Sequence, residues 1–295
     1  MMSDQKTKIL THLNEQTQKI MDKSKKAKLQ WVRQEHFVRY NNADKIMRNL
    51  EWVISQPLKP NTDLDSLSIV GESGTGKTTI VKYFKMMHEK KKKSSLNAEH
   101  HVVAHCVLPD ANLGLKGMYA SILHAEPFNY PVPIEKLSRF RVTKLEDACI
   151  QLLKRTKVRI LFVDEIQHAL GRNVQSTLNS LKRVVLLSGV PLVPVGTEKT
   201  EEILLLDDQL ADRCPVKSFS KLNLWEYGEE FRSFLAGYEQ FLPFPEPSNL
   251  QSKKIATDIY SFSFKEKQLP NLRRVTRLIK GVSAIALSKG AKSLL

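Results

Sequence analysis

Two hydrophobic periods alternate through the central part of the chain, one typical of strands and the other typical of helices. Short apolar runs predict strands near residues 67–70, 101–107, 158–163, 192–196 and 215–219. Apolar residues spaced three to four apart predict helices near residues 77–89, 114–124, 143–155, 174–188 and 199–205. Because strands that alternate with helices pair in parallel and are covered on both faces, we expect an α/β domain with a parallel five-stranded sheet.

Both ends of the chain have a helical pattern instead. The apolar residues of the first thirty positions fall at mostly helical spacing: Ile9, Leu10, Leu13, Ile20 and Met21. Further helices are predicted over residues 43–54, 224–241, 250–262 and 271–288. We therefore expect three parts, which are an N-terminal helical basic extension over residues 1–34, the α/β core over 35–221 and a small all-helical lid over 222–295.

Positive charge is concentrated at the two ends of the chain. Lys and Arg number 46 against 31 Asp and Glu, which gives a formal net charge of +15. Residues 1–50 carry eleven Lys and Arg against five Asp and Glu, and residues 251–295 carry ten against two. Such an excess is typical of a protein that binds a polyanion such as nucleic acid, but solvated basic faces give the same pattern, so charge alone leaves both open.

Other features of the composition exclude several classes of protein. The three cysteines, Cys106, Cys149 and Cys214, are widely spaced and fit neither a disulfide scaffold nor a zinc-ligand pattern. No apolar run reaches the length of a membrane span, and the N-terminus has no signal-peptide core. We expect a cytoplasmic protein with reduced thiols and no membrane partner.

A phosphate-binding loop follows the first predicted strand and opens the next helix. The motif GxxxxGK[ST] is matched in full, and we assign the nucleotide to Gly71, Glu72, Ser73, Gly74, Thr75, Gly76, Lys77, Thr78 and Thr79. Glycines let successive backbone N–H groups point at phosphate oxygens, and the helix N-terminus adds partial positive charge. Lys77 is expected to reach the β- and γ-phosphates of ATP, and Thr78 is expected to bind Mg²⁺.

Two carboxylates end the third predicted strand, where ligands bind in open α/β sheets. Asp164 and Glu165 follow the apolar run Ile160-Leu161-Phe162-Val163. We expect Asp164 to hold Mg²⁺ and Glu165 to act as the general base for the attacking water. The phosphate loop and this carboxylate pair together predict an ATPase.

Three further residues have both a functional and a plain structural interpretation. Thr197 ends a strand, where it could contact the γ-phosphate or cap the next helix. Arg213 precedes the last strand, where it could reach a neighbouring subunit's site or pair with Asp208 or Asp212. Arg273 begins a helix, where it could touch the γ-phosphate or belong to a solvated basic face.

The chain resembles the TniB/TnsC group of AAA+ ATPases, which regulate transposition and are related to the phage MuB protein. Five segments carry the resemblance: RYNNADKIMRNLEWVISQP (39–57), GESGTGKTT (71–79), LFVDEIQHAL (161–170), GVPLVPVGTEKT (189–200) and DDQLADR (207–213). The resemblance implies an AAA+ fold that binds ATP and assembles as rings or filaments on duplex DNA. It also implies recruitment of a transposase, in many systems with a TniQ-type target-selection protein. By position, Thr197 matches sensor 1, Arg213 the arginine finger and Arg273 sensor 2.

Two other functions remain open for such a sequence. An AAA+ helicase loader or replication initiator would share the nucleotide site, and so would a signalling or defence NTPase without a nucleic-acid role. Because no segment looks like a reader of base edges, any DNA contact should be to phosphates and independent of sequence. The basic residues that we expect to make such contacts lie within 110–145, namely Lys116, Arg139, Arg141 and Lys144.

Overall fold

The computed structural model describes residues 11–59, 64–92, 102–109, 114–128, 130–169, 174–264 and 268–294. The chain divides into two compact units. One combines the residues up to 41 with those from 224 onward, and the other spans residues 42–223. This grouping differs from the expected division at residues 34 and 221, because the N-terminal helices pack with the C-terminal helices in one unit. Within the described residues, none of the helices is both long and apolar enough to cross a membrane.

A parallel five-stranded sheet forms the centre of the second unit, as the sequence predicts. Its strands are β1 (Ser68–Gly71), β2 (Val103–Val107), β3 (Ile160–Asp164), β4 (Leu192–Gly196) and β5 (Val216–Leu222). Their order across the sheet is β2-β3-β4-β1-β5, and every neighbouring pair is parallel. The strands that carry the candidate site, β1, β3 and β4, are buried along their whole length, which is why they read as continuous apolar runs.

Helices flank this sheet and make up the other unit. In chain order they are α1 (Glu15–Met21), α2 (Lys25–Arg33), α3 (Asn41–Ser55), α4 (Lys77–Lys92), α5 (Gly114–Leu123), α6 (Ile134–Leu137), α7 (Val142–Arg155), α8 (Val174–Ser188), α9 (Lys199–Leu204), α10 (Asp208–Arg213), α11 (Glu229–Glu239), α12 (Lys253–Phe262) and α13 (Leu272–Lys289). A short 3-10 turn over Ile166–Ala169 follows β3. The short helices α6 and α10 were not predicted from the sequence.

Local hydrogen bonds explain where the predicted helices differ from the structure. The helical pattern of the first thirty residues contains a break, because Ser24 caps a separate helix by accepting the N–H of Ala27. The helix predicted over 224–241 begins only at Glu229. Residues 223–228 before it form no helix, and Trp225 donates its backbone N–H to the carbonyl of Pro270. Two residues of the predicted N-terminal pattern, Ile9 and Leu10, lie outside the described residues.

Each unit has its own apolar core. In the sheet unit, one large cluster joins strands β2 to β4 with the helices packed on them. Arg159, just before β3, donates to the carbonyl oxygens of Ile54 and Gln56 at distances of 2.5–3.0 Å, so the end of α3 is fixed against the start of that strand. In the other unit, residues from α2, α11, α12 and α13 form a separate cluster. The candidate nucleotide residues from the phosphate loop to Arg213 all lie in the sheet unit.

Candidate nucleotide site

The phosphate loop connects β1 to α4 and owes its shape to glycine. Gly71, Gly74 and Gly76 have positive φ angles of 153°, 83° and 98°. A Cβ atom on Gly71 would lie 2.2 Å from the carbonyl oxygen of Leu222 in β5, so no other residue fits this close approach. Thr75 closes the loop by donating its hydroxyl to the carbonyl of Glu72 at 2.8 Å. This backbone holds the loop in the tight turn that the motif predicts.

The start of α4 carries two functional side chains, of which Lys77 turns back into the phosphate loop and Thr78 reaches the end of β3. Lys77 is 7% exposed, and its Nζ donates to the carbonyl oxygens of Gly71 and Glu72, both at 2.8 Å. The hydroxyl of Thr78 donates to Oδ2 of Asp164 at 2.8 Å. The structure therefore brings together the hydroxyl and the carboxylate that could coordinate Mg²⁺, which prefers hard oxygen ligands. These two oxygens fit the magnesium that an ATP site of this kind requires.

Asp164 is held ionised by its neighbours although it is only 2% exposed. Burial would raise the pKa of this carboxyl, but contacts from His105 and Thr78 and the backbone N–H of Glu165 outweigh it and hold the pKa below its usual value. His105 lies on the neighbouring strand β2, and its Nε2 is 3.5 Å from Oδ2, at the outer limit of a hydrogen bond. An ionised Asp164 is the form that binds a cation.

Glu165 sits in an unusual backbone conformation directly after β3. Its φ is 55°, in the left-handed region that residues other than glycine rarely adopt. The backbone N–H of Glu165 donates to Oδ1 of Asp164 at 2.9 Å, and the carbonyl of Glu165 accepts the N–H of His168 at 2.9 Å. The carboxylate of Glu165 accepts a hydrogen bond from Nε2 of Gln167. Such a constrained carboxylate beside a phosphate loop suits a general base.

Thr197 follows β4, which lies between β3 and β1 in the sheet. Its backbone N–H donates to Oε1 of Gln167 at 3.2 Å. In the part of the chain that the structure describes, its buried hydroxyl makes no hydrogen bond. The N-cap position of α9 belongs to Glu198, one residue later. Thr197 thus lies at the sheet edge shared by the phosphate loop and Glu165, and its sensor role stays a prediction.

Arg213 is the last residue of α10, and both ends of this short helix are anchored. At the start, Asp207 caps the helix by accepting the N–H of Leu210 and pairs with Lys182 of α8 at 2.5 Å. Burial would raise the pKa of Asp207, but these hydrogen bonds outweigh it and lower the pKa. At the end, the carbonyl of Arg213 accepts the N–H of Ser66 at 2.8 Å. Arg213, which is partly buried, therefore has a fixed backbone position.

The sequence comparison with protein families identifies the chain. The family described as Bacterial TniB protein matches residues 28–227, about two thirds of the sequence. The chain belongs to the TniB family. This match includes the phosphate loop, both carboxylates, Thr197 and Arg213. A comparison with curated protein sequences found no match.

Solved structures place this TniB-family protein in the AAA+ fold. The ORC2 protein of Aeropyrum pernix, solved as ADPNP–ADP complexes, has a TM-score of 0.59 at 16% identity, with 90% of this chain and 68% of that chain covered. The ORC1 protein of the same organism, solved with DNA, has a TM-score of 0.56 at 14% identity, with 88% and 64% covered. Domain III of DnaA from Thermotoga maritima has a TM-score of 0.51 at 17% identity, with 86% and 88% covered. These similarities establish the fold alone.

Two further sets of predicted residues belong to other elements of the TniB-family chain. Arg273 is the second residue of α13 in the helical unit and is exposed, so its sensor role stays a prediction. The predicted DNA contacts form what we call the α6–α7 basic patch: Lys116, Arg139, Arg141 and Lys144. Lys116 on α5 donates to the carbonyl of Ser138 at 2.6 Å, which brings it beside the other three. Those three are exposed at and just before the start of α7. Contact with DNA remains a prediction.

Sequence reasoning missed two residues that contact the site of this TniB-family protein. His105 approaches Asp164, and Gln167 binds both Glu165 and the backbone of Thr197. Gln167 lies inside the segment DEIQH that carries the family resemblance, so its position two residues after Glu165 was a usable signal. His105 gave none, because a histidine in an apolar strand is more often part of a core.

Proposed function

We propose that this protein is an ATP-dependent, DNA-binding regulator of DNA transposition. In this proposal it oligomerises on duplex DNA in the cytoplasm and links target selection, through a TniQ-type protein, to recruitment of a transposase. The observation that carries the proposal is the contact between Thr78 and Asp164 beneath a complete phosphate loop, in a chain of the TniB family. A nucleotide site of this kind gives a DNA-bound assembly a way to switch between two states.

The phosphate loop supplies the binding part of the mechanism. Backbone N–H groups of residues 71–76 and the ammonium of Lys77 bind the β- and γ-phosphates of ATP. The hydroxyl of Thr78 and the carboxylate of Asp164 would hold Mg²⁺, which when bound would supply positive charge to the phosphate oxygens. The low pKa of Asp164 supports this role, because a protonated carboxyl would bind a cation poorly.

Hydrolysis falls to the residues at the ends of β3 and β4. Glu165 accepts a proton from the attacking water, and Thr197 contacts the γ-phosphate or that water. Arg213 extends from the anchored end of α10 into the site of the neighbouring subunit, where its charge stabilises the transition state. Arg273 contributes from the helical unit as sensor 2. An arginine supplied by a neighbour makes hydrolysis depend on assembly.

DNA binding follows from the charge of the chain and the α6–α7 basic patch. The net charge of +15 favours a polyanion, and the TniB-family match favours DNA over other polyanions. Contacts to phosphates would be independent of base sequence. Because each subunit of an assembly adds a few contacts, affinity should rise with duplex length and should require the ATP state that orders the subunits. The DNA present in the solved ORC1 complex is consistent with this proposal.

Variants of the nucleotide site test the enzymatic part. Lys77→Ala should abolish stable ATP binding, because the phosphate contact is lost. Glu165→Gln should bind ATP normally and lose turnover, because an amide cannot accept the proton. Lys82→Ala, on the exposed side of the same helix, is the matched control and should behave as wild type. Wild-type turnover by Glu165→Gln, measured as phosphate release, would refute the assignment of the base.

Mixing experiments test the role of the neighbouring subunit. Arg213→Ala should bind ATP and assemble, but it should hydrolyse ATP slowly because the arginine acts on another subunit's site. Adding Lys77→Ala protein to Arg213→Ala protein should restore part of the activity, since one variant keeps the site and the other keeps the arginine. An assembly that forms and shows no rescue at any mixing ratio would mean that Arg213 acts within its own chain or only structurally.

Two measurements separate the proposed function from its alternatives. Electron microscopy with ATP and duplex DNA should show rings or filaments, whereas a signalling or defence NTPase would leave the duplex bare. Strand transfer by a transposase should respond to the protein in the presence of ATP. A helicase loader or replication initiator would bind DNA and leave strand transfer unchanged, and preference for a single DNA sequence would also favour that class.

A further inference from the structure

One side chain connects the candidate general base to the neighbouring strand. The amide of Gln167 donates from Nε2 to Oε2 of Glu165 and accepts at Oε1 from the backbone N–H of Thr197, 3.2 Å away. Gln167 itself lies in the 3-10 turn after β3. A single amide therefore bridges the end of β3 to the end of β4, at the edge of the sheet where the phosphate loop also lies.

The orientation of this amide is fixed by the chemistry of its two partners. A backbone N–H can only donate, so it must meet the amide oxygen. An ionised carboxylate can only accept, so it must meet the amide NH₂ group. The flipped amide would oppose donor to donor and acceptor to acceptor, and both contacts would be unfavourable. Gln167 therefore holds one definite geometry, and glutamine is the residue type of this length that supplies both a donor and an acceptor.

Gly196 leaves open the space that the amide of Gln167 occupies. A Cβ atom on Gly196 would lie 2.3 Å from Oε1 of Gln167 and 2.4 Å from the hydroxyl of Thr200. The absence of a side chain at Gly196 is thus what admits the amide. On the other side, the backbone of Glu165 is fixed by its hydrogen bonds to Asp164 and His168. With its backbone held, the remaining freedom of Glu165 is in its side chain, which Gln167 restrains.

We propose that Gln167 is a positioning residue that aims the carboxylate of Glu165 at the attacking water and couples it to the end of β4 at Thr197. This inference rests on the proposed ATPase function. A general base must lie within hydrogen-bond reach of the proton it accepts, so a carboxylate that rotates away loses its effect. The bridge has a second consequence, because a displacement of Thr197 changes the position of Glu165 through two hydrogen bonds.

The first test removes both hydrogen bonds and keeps the size of the side chain. Gln167→Met should lower the turnover number of ATP hydrolysis by about 10- to 100-fold, the range expected when a catalytic group is displaced by up to about 1 Å. The affinity for a non-hydrolysable ATP analogue and the melting temperature should stay at wild-type values, because the hydrogen bonds of the Gln167 amide to the described residues go to Glu165 and Thr197 and not to the phosphate loop, and methionine keeps the size of the side chain. Gln151→Met, at an exposed position on α7, is the matched control and should be fully active.

A second variant perturbs the same bridge from the other strand. Gly196→Ala should reproduce the loss of turnover, because its methyl group takes the place of the amide oxygen while Gln167 keeps its identity. The backbone at this position is open to other residues, since Gly196 is not among the glycines with positive φ. Wild-type turnover by Gly196→Ala in a folded protein would overturn the inference.

Combining variants shows whether the amide acts through Glu165. In a Glu165→Gln background, Gln167→Met should not lower the residual turnover of ATP any further, because the group that Gln167 positions is already inactive. Losses that multiply would mean that Gln167 acts on another part of the reaction and would overturn the inference. Turnover that depends on Glu165 and is insensitive to Gln167→Met would also overturn it and leave the proposed function standing. A wild-type protein without any ATP turnover would overturn both.

Discussion

Removing two charges from the α6–α7 basic patch should change how DNA binding depends on salt. Arg139 and Arg141 are both exposed, and both lie just before the start of α7. Arg141 occupies the N-cap position, where its side chain makes no capping hydrogen bond to the described residues. Replacing both by alanine therefore removes no capping hydrogen bond among the described residues, and it takes positive charge away from a helix N-terminus, where positive charge is unfavourable. The fold should tolerate the double variant.

The size of the effect follows from counterion release. Each phosphate contact adds about 0.9 to the slope of log affinity against log salt concentration, so loss of two contacts should make the slope shallower by about 1.8 for each subunit footprint. Over a fourfold rise in salt, from about 50 to 200 mM, the ratio of the wild-type affinity for DNA to the affinity of the variant should then fall by about tenfold. The difference in affinity should therefore be largest at low salt.

The assay is fluorescence anisotropy of a labelled duplex across a salt series, with a non-hydrolysable ATP analogue present throughout. The matched control is the double variant Lys154→Ala and Arg155→Ala, which removes the same two charges at the other end of α7. Because α7 has 14 residues, the control lies about 20 Å away, roughly two Debye lengths at 0.1 M salt. Equal changes of slope in both double variants would refute local contacts, and so would an unchanged slope in the arginine variant.

Three further predictions concern stability and thiol chemistry. Glu239, which is 8% exposed, accepts hydrogen bonds from the three backbone N–H groups of residues 248–250, so Glu239→Ala should lower the free energy of unfolding by about 3 kcal/mol in urea titrations. Burial raises the pKa of all three cysteines, to about 12 for Cys106 and Cys214, so thiol reagents at pH 8 should react only as fast as the protein unfolds. Burial also lowers the pKa of His36, so its contribution to stability is present at pH 7 and should be lost as the pH falls below about 6.5, a loss that His36→Gln should abolish in unfolding measurements.

The central sheet could be predicted because its strands are buried on both faces. β4 runs from Leu192 to Gly196, as predicted, because a fully buried strand is apolar at every position and ends where polar residues begin. β5 is only partly buried, and it extends to Leu222, three residues beyond its predicted end at 219. Its alternating pattern, with polar residues such as Lys221, gave a weaker signal. Strand boundaries could therefore be predicted best where the strand is buried on both faces.

Tertiary contacts account for two features that the sequence did not indicate, namely the start of α11 and the grouping of the N-terminal helices with the C-terminal ones. The segment before α11 has helical spacing of apolar residues, yet Trp225 is drawn out of the helix by its backbone bond to Pro270 and packs its ring against Tyr40 and Phe234. These partners lie far away in the chain, so no local pattern could reveal them. The grouping of the N-terminal helices with the C-terminal unit has the same origin, since the indole of Trp31 donates to the carbonyl of Phe241 at 2.9 Å.

The candidate site contains residues that a local sequence pattern indicates and a residue whose contact depends on the folded sheet. That Thr78 and Asp164 would lie together could be expected from the sequence, because phosphate and magnesium chemistry favours fixed residue types next to a strand and a helix start, and the structure brings the two side chains into contact. The role of Gln167 depends instead on a strand 30 residues later in the chain, and only the closeness of β3 and β4 in the folded sheet brings the amide to Thr197. The glycine that precedes that threonine is the sequence counterpart of the bridge, because any side chain there would occupy the place of the amide oxygen. A glutamine two residues after the strand-end carboxylates, together with a glycine just before the sensor position, is thus the pairing that we expect wherever an AAA+ core uses this bridge.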